Sequence, residues 1–225
     1  MSLLACYGGS FDPVHLGHLA VARAVRDALG AEVVLVPAAD PPHKASTHAR
    51  AAERAHMLDL AVAGEQGLAV DRIELGRSGP SYTVDTLRLL RARQGPHRPL
   101  AWVVGADALL GLDGWHRWRE LFAHAHVLAV ERPGAPLEDA VFRDQSPALA
   151  AELAARRRSP QALAEAPAGG YALLGLPELR PESSTEVRRR IAAGGDWEAL
   201  VPPAVAGFIR RRRLYGYVAA TAPPL

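Results

Sequence analysis

Several absences in this 225-residue chain each remove a class of chemistry. There is one cysteine, Cys6, so no intrachain disulfide and no cluster of thiolates for zinc. Lying in the apolar run "LLACYG", it reads as a core residue. No apolar stretch approaches the roughly 20 residues that a membrane span needs. The opening "MSLLACYGG" has no basic segment ahead of its apolar residues and runs straight into a turn, so it reads as a buried strand and not as a secretory signal. The expected location is the cytoplasm, with no membrane partner. Charge of one sign is not in excess: 26 basic residues face 24 acidic ones, for a net +2. That balance offers no footing for nucleic acid, and the "RRR" run at 156–158 reads as a solvated face. Lysine is almost missing. Lys44 stands alone among 25 arginines, inside "DPPHKAS". Two phosphate-loop patterns are also absent, "GxxxxGK[ST]" and "GxGxxG", and no internal repeat is visible.

What is present is ordinary globular material, 49% hydrophobic and 22% charged. Continuously apolar runs at 3–8, 32–38, 68–75, 100–105, 125–134 and 171–177 alternate with helical periodicity at 15–30, 48–64 and 83–95. Two more helical segments close the chain at 183–195 and 202–216. Apolar strands alternating with helices predict an α/β fold: a Rossmann-like, doubly wound parallel sheet with helices on both faces and a small C-terminal helical part. A single domain over 1–216 and a tail over 217–225 are expected. Residues 135–170 are rich in Ala, Pro and Arg, and read as a variable insertion with one short exposed helix in "SPALAAELAARRR".

The stretch "YGGSFDPVHLGHLAVARAV" (7–25) falls at the carboxyl end of the first strand, where ligands of such sheets sit. Gly8 and Gly9 permit close backbone approach, and amides of the turn and of a helix start can face an anion. His15 and His18, at i and i+3, share a face of the first helical turn, with Gly17 keeping the surface low between them. A phosphate site, a zinc pair completed by Asp12, and a purely packed histidine pair all remain open on these residues, although the spacing differs from "HExxH". Far downstream, "SSTEVRRR" puts Ser183, Ser184 and Thr185 at a helix start with Arg188 one turn in. This suits either a helix cap or a second phosphate grip.

The stretch "GGSFDPVHLGH" (8–18) resembles the signature of the nucleotidylyltransferase superfamily, and "SSTEVR" (183–188) its second signature. "PPHK" (41–44), "RSGPSYTVDTL" (77–87) and "VVGADALLGLDGWHRWREL" (103–121) are similar to stretches of its bacterial nicotinate-nucleotide adenylyltransferase branch. Three departures stand out: Ser10 where Thr is common, Val187 for Ile, and Glu182 where an aliphatic residue is usual. "HLGH" is also similar to a class I aminoacyl-tRNA synthetase motif, but this chain is too short for that enzyme and has no lysine-rich partner loop.

The resemblance implies transfer of AMP from ATP to nicotinate mononucleotide, with pyrophosphate leaving, and Mg²⁺ carried mainly by the ATP phosphates. It implies ATP contacts from Gly8, Gly9, Ser10, His15, His18, Ser184, Thr185 and Arg188, with His15, His18 and Arg188 acting on the reacting phosphates. Acceptor contacts are implied for Lys44, Tyr82, Thr83, Asp107 and Trp115, the last stacking on the pyridine ring. Asp12 is read as fixing the turn, with no protein metal ligand, and Trp118 as core. A homo-oligomer is compatible with the family. The rivals are another adenylyltransferase with a nicotinamide mononucleotide or phosphopantetheine acceptor, and a non-catalytic nucleotide-binding module.

Overall fold

A strand that is apolar at every position has to be covered on both faces. The computed structural model, which describes residues 2–39, 47–77, 81–131, 142, 144–178 and 181–218, shows how this is done. Six strands, β1 (Leu4–Gly9), β2 (Glu32–Pro37), β3 (Leu68–Val70), β4 (Leu100–Gly105), β5 (His126–Glu131) and β6 (Tyr171–Gly175), form one parallel sheet in the order β3-β2-β1-β4-β5-β6. Alternate positions along a strand feed separate cores. Ala5, Ala101, Val103, Leu128 and Val130 pack on one face, against α1 (Leu16–Leu29), α2 (Ala51–Val62), α7 (Ser184–Ala192) and α8 (Pro203–Arg212). Leu4, Cys6, Trp102, Val104, Val127 and Ala129 pack on the other, against α3 (Thr83–Gln94), α4 (Ala106–Leu110), α5 (Leu121–His124) and α6 (Pro147–Arg156). Burial pushes the Cys6 thiol up to about 12, so it carries no thiolate at neutral pH.

The chain builds β1, β2 and β3 outward on one side and then crosses to place β4 on the free side of β1. Strand order reverses there, so the carboxyl ends of β1 and β4 flank a crevice. Tyr7 pairs with Val103. Two residues further on, Gly9 and Gly105 end their strands on either side of that crevice.

Three stretches differ from the expectations. The third strand ends at Val70 and not at 75, because the Asp71 carboxylate accepts the Ile73 N–H at 3.0 Å and turns the chain. The second helix starts at Ala51 and not at 48, because the amides of His48 and Ala49 are taken by the Asp12 carboxylate. The helix read as exposed within 135–170 is amphipathic and docked: Leu149 and Leu153 on α6 are buried in the second core, and Ser146 caps it by accepting the Leu149 N–H. The loop after it is tied to the sheet. Buried His126 accepts the Gly170 N–H at Nδ1 and donates from Nε2 to the Ala166 carbonyl, both at 2.8 Å, and Arg91 donates to the carbonyls of His124 and Pro167. Burial lowers the His126 pKa, which favours the neutral ring that this pair of bonds requires. Residues 135–141 and 143 lie outside the described residues.

Candidate functional site

Beyond Gly9 the chain makes a sharp turn through Phe11, at φ 48°, and a cis Asp12–Pro13 peptide, before entering α1. His15 is the N-cap and His18 the third helical residue. Their rings stack at 3.7 Å with a 30° tilt, and the His15 N–H donates to Nδ1 of His18 at 3.2 Å. An accepting Nδ1 leaves the proton of a neutral His18 ring on Nε2. Phe11 meets the His18 ring edge-on at 4.9 Å, and Tyr7 meets Phe11 at 5.5 Å, which holds the imidazole from behind.

The glycines serve packing more than was read from them. A methyl group at Gly8 would sit 2.0 Å from Cζ2 of Trp102, and one at Gly9 would press on the Phe11 ring at 3.1 Å. At Gly17 it would meet the His15 ring at 3.0 Å and the Glu182 carbonyl at 3.4 Å. Gly17 therefore lets the His15 ring and the lead-in to α7 close over α1. Glu182, the charged departure beside the second signature, is buried in this lead-in.

The second signature arrives at the same turn. Ser183 caps α7 by accepting the Glu186 N–H at 3.2 Å. Ser184 Oγ donates to the Pro13 carbonyl at 3.0 Å across 171 positions, and Arg188 donates to the Asp12 carbonyl at 2.6 Å. A second Arg188 nitrogen reaches Thr185 Oγ1 at 3.3 Å. Two helix N-termini, α1 and α7, with a guanidinium between them, thus converge on the reversal point of the sheet. Amide N–H groups at such ends attract anions.

The Asp12 carboxylate is engaged within the protein. Its carboxylate accepts the N–H of His48 at 2.8 Å, the N–H of Ala49 at 3.1 Å and the hydroxyl of Tyr215 at 2.9 Å. Among the described residues, no three or more His, Cys, Asp or Glu side chains gather into a metal cage.

On the β4 side, Asp107 is exposed in the first turn of α4, directly after Gly105. Tyr82 is the N-cap of α3 and Thr83 its first residue. The Tyr82 ring lies on the ring of His116 at 4.4 Å, and half-buried Trp115 precedes His116 in the chain. Trp118 is buried in the second core, as expected. Surface ion pairs link α3 to this aromatic turn: Glu120 holds Arg88 at 2.7 Å and Arg117 at 2.6 Å, and Arg88 also reaches Asp85 at 3.2 Å. Lys44 lies outside the described residues.

Two buried charged residues were not picked out from the sequence. Arg54 is fully buried and donates to the carbonyls of Ser10, Ala38, Ala39 and Ala49, which joins the carboxyl ends of β1 and β2. A signal for it existed: Arg54 falls on the apolar stripe of α2 with Met57, Leu58 and Ala61. Glu74, also buried, accepts from the Thr86 hydroxyl at 2.7 Å, and burial raises its pKa.

A parallel sheet with helix N-termini and a guanidinium at its switch point is the architecture of a nucleotide-binding α/β protein. Residues 6–190 match the Cytidylyltransferase-like family, and the chain belongs to it. A relative from Stenotrophomonas maltophilia (strain K279a) is 53% identical over 220 residues, 96% of this chain and 97% of its own. One from Laribacter hongkongensis (strain HLHK9) is 47% identical over 215 residues, 94% of each chain. Both carry the name "Probable nicotinate-nucleotide adenylyltransferase". The solved structure of Plasmodium falciparum nicotinic acid mononucleotide adenylyltransferase complexed with NaAD aligns with a TM-score of 0.74 over 97% of this chain and 99% of that one. Its 17% identity makes this a likeness of fold.

Proposed function

We infer that this chain is a nicotinate-nucleotide adenylyltransferase, joining the AMP part of ATP to nicotinate mononucleotide and releasing pyrophosphate, a step of NAD biosynthesis. The observation that carries the reading is the meeting of the two signatures at Asp12–Pro13, through Ser184 and Arg188. The relatives at 53% and 47% identity support the choice of acceptor.

The acceptor phosphate is already an anion at neutral pH, so attack on the α-phosphorus needs neither a strong base nor a covalent enzyme intermediate. Catalysis then rests on alignment and on donors placed where charge develops. His18 is assigned to the α-phosphate, through Nε2, with His15 beside it. The amides at the start of α1 and the main chain of Gly8, Gly9 and Ser10 line the nucleotide path. Ser184, Thr185 and Arg188 hold the phosphates that leave as pyrophosphate. Asp107 is assigned to a ribose hydroxyl, Tyr82 and Thr83 to the ring carboxylate, Trp115 to the pyridine face, and Lys44 to a phosphate. With the Asp12 carboxylate taken by hydrogen bonds, Mg²⁺ is treated as part of the nucleotide substrate, held by phosphate oxygens and water.

Pyrophosphate release measured in parallel with nicotinate mononucleotide, nicotinamide mononucleotide and phosphopantetheine tests the reading. Fastest turnover with the nicotinate form is expected. Preference for phosphopantetheine, or ATP binding without release from any acceptor, overturns it.

A further inference from the structure

The last described turn of the chain, Leu214–Gly216, reaches back to the phosphate turn. Arg213, Tyr215 and Gly216 all have positive φ, at 51°, 59° and 77°. A tyrosine in the left-handed region is uncommon and persists only where its surroundings hold it. Here the result of that backbone is to bring the Tyr215 hydroxyl to 2.9 Å from Oδ1 of Asp12.

Asp12 is 4% exposed and faces two ways. Its carboxylate gathers Tyr215 and the lead-in to α2, at His48 and Ala49. Its carbonyl receives Arg188 from α7. The same lead-in is gripped from the other side, where Arg54 donates to the Ala49 carbonyl while also holding Ser10. The turn that presents His15 and His18 is therefore set from beneath by a buried polar hub with contributions from three distant elements. Burial and the adjacent Asp12 carboxylate raise the Tyr215 pKa, so its hydroxyl remains a donor at neutral pH.

We propose that Tyr215 is a positioning residue for adenylyl transfer: its hydroxyl orients the Asp12 carboxylate, and through it the register of His15 and His18 against Arg188. This rests on the functional reading above. Tyr215 acts through Asp12 and not on substrate. A misplaced turn weakens alignment at the reacting phosphate, whereas the acceptor groups Tyr82 and Trp115 sit on separate elements across the crevice.

The test is Tyr215→Phe, which removes one oxygen and keeps the ring, with Tyr217→Phe as the control. Assays run well below the melting temperature. Tyr215→Phe is expected to lower kcat by about tenfold to a hundredfold, with KM for nicotinate mononucleotide unchanged and Tyr217→Phe like wild type. In Asp12→Asn/Tyr215→Phe the two losses are not expected to multiply, since the contact between Tyr215 and Asp12 is common to both. A Tyr215→Phe enzyme with wild-type kcat, a rise confined to acceptor KM, or fully multiplicative losses overturns the proposal. If wild type releases no pyrophosphate from any acceptor, the functional reading fails by itself. The hub is then decided by NMR of the His15 and His18 rings, whose resonances move in Tyr215→Phe if it is correct and stay in place if it is not.

Discussion

The two sides of the crevice are built differently. On the β1 side, donors belong to a turn whose carbonyls and carboxylate are taken by α7, the α2 lead-in and the last turn of the chain. On the β4 side, Tyr82, Asp107 and Trp115 sit at the starts of helices or beside 3₁₀ turns, half-buried or exposed, and surface ion pairs of Glu120 with Arg88 and Arg117 link α3 to the turn that follows Trp115. The contrast follows from what each half is assigned to do. Stabilising charge on a reacting phosphate requires donors that need no reorganisation at the moment of reaction. Stacking on a flat ring tolerates small displacements, and short elements are sufficient to present it.

Breaking the stiff half has the largest expected effect. His18→Ala is expected to cut kcat by about 100- to 1000-fold, the usual consequence of removing one oriented donor, while ATP still binds. Calorimetric ATP titration beside pyrophosphate release checks both parts, and an unchanged rate removes His18 from the mechanism. Leu149→Ala sharpens the comparison from outside the crevice. It empties a buried position on α6, and a loss of about 2–5 kcal/mol in unfolding free energy is expected, with turnover retained at low temperature. A melting curve like that of wild type would show that α6 contributes little to the second core.

Trp115→Ala addresses the looser half. Loss of ring stacking, worth about 1–3 kcal/mol where bases stack on aromatics, is expected to raise KM for nicotinate mononucleotide by roughly tenfold with kcat little changed. A fall in kcat at constant KM would place Trp115 in the alignment machinery instead. Glu120→Gln is expected to have the smallest effect, a change in acceptor KM of a few-fold at most that fades at high salt, since it releases exposed ion pairs. A large loss there would show that the acceptor side is held as firmly as the phosphate side.

Most strands and helices were legible because burial on both faces imposes runs such as "LACYGG" and "LAWVVG", and helical faces repeat visibly. The two signatures, 8–18 and 183–188, were legible as residue types at short spacing. Less legible were features set by partners remote in sequence. The early end of β3 came from the Asp71 carboxylate, the late start of α2 from Asp12, and the docking of α6 from a core that its composition hid. Arg54 left a trace, a charge on an apolar stripe, whereas nothing near Tyr215 in the chain announces Asp12.

Local chemistry within a few residues thus determined the parallel sheet, the turn with its histidine pair and the capped helix bearing Arg188, because periodicity and spacing are properties of neighbours. Only the tertiary structure decided that the turn and that helix share a hydrogen-bonded joint, that Gly8 and Gly17 yield their space to Trp102 and His15, and that the end of the chain reaches the histidine turn. Those contacts span up to 203 positions, and they form only where the packed sheet brings the ends of its elements together.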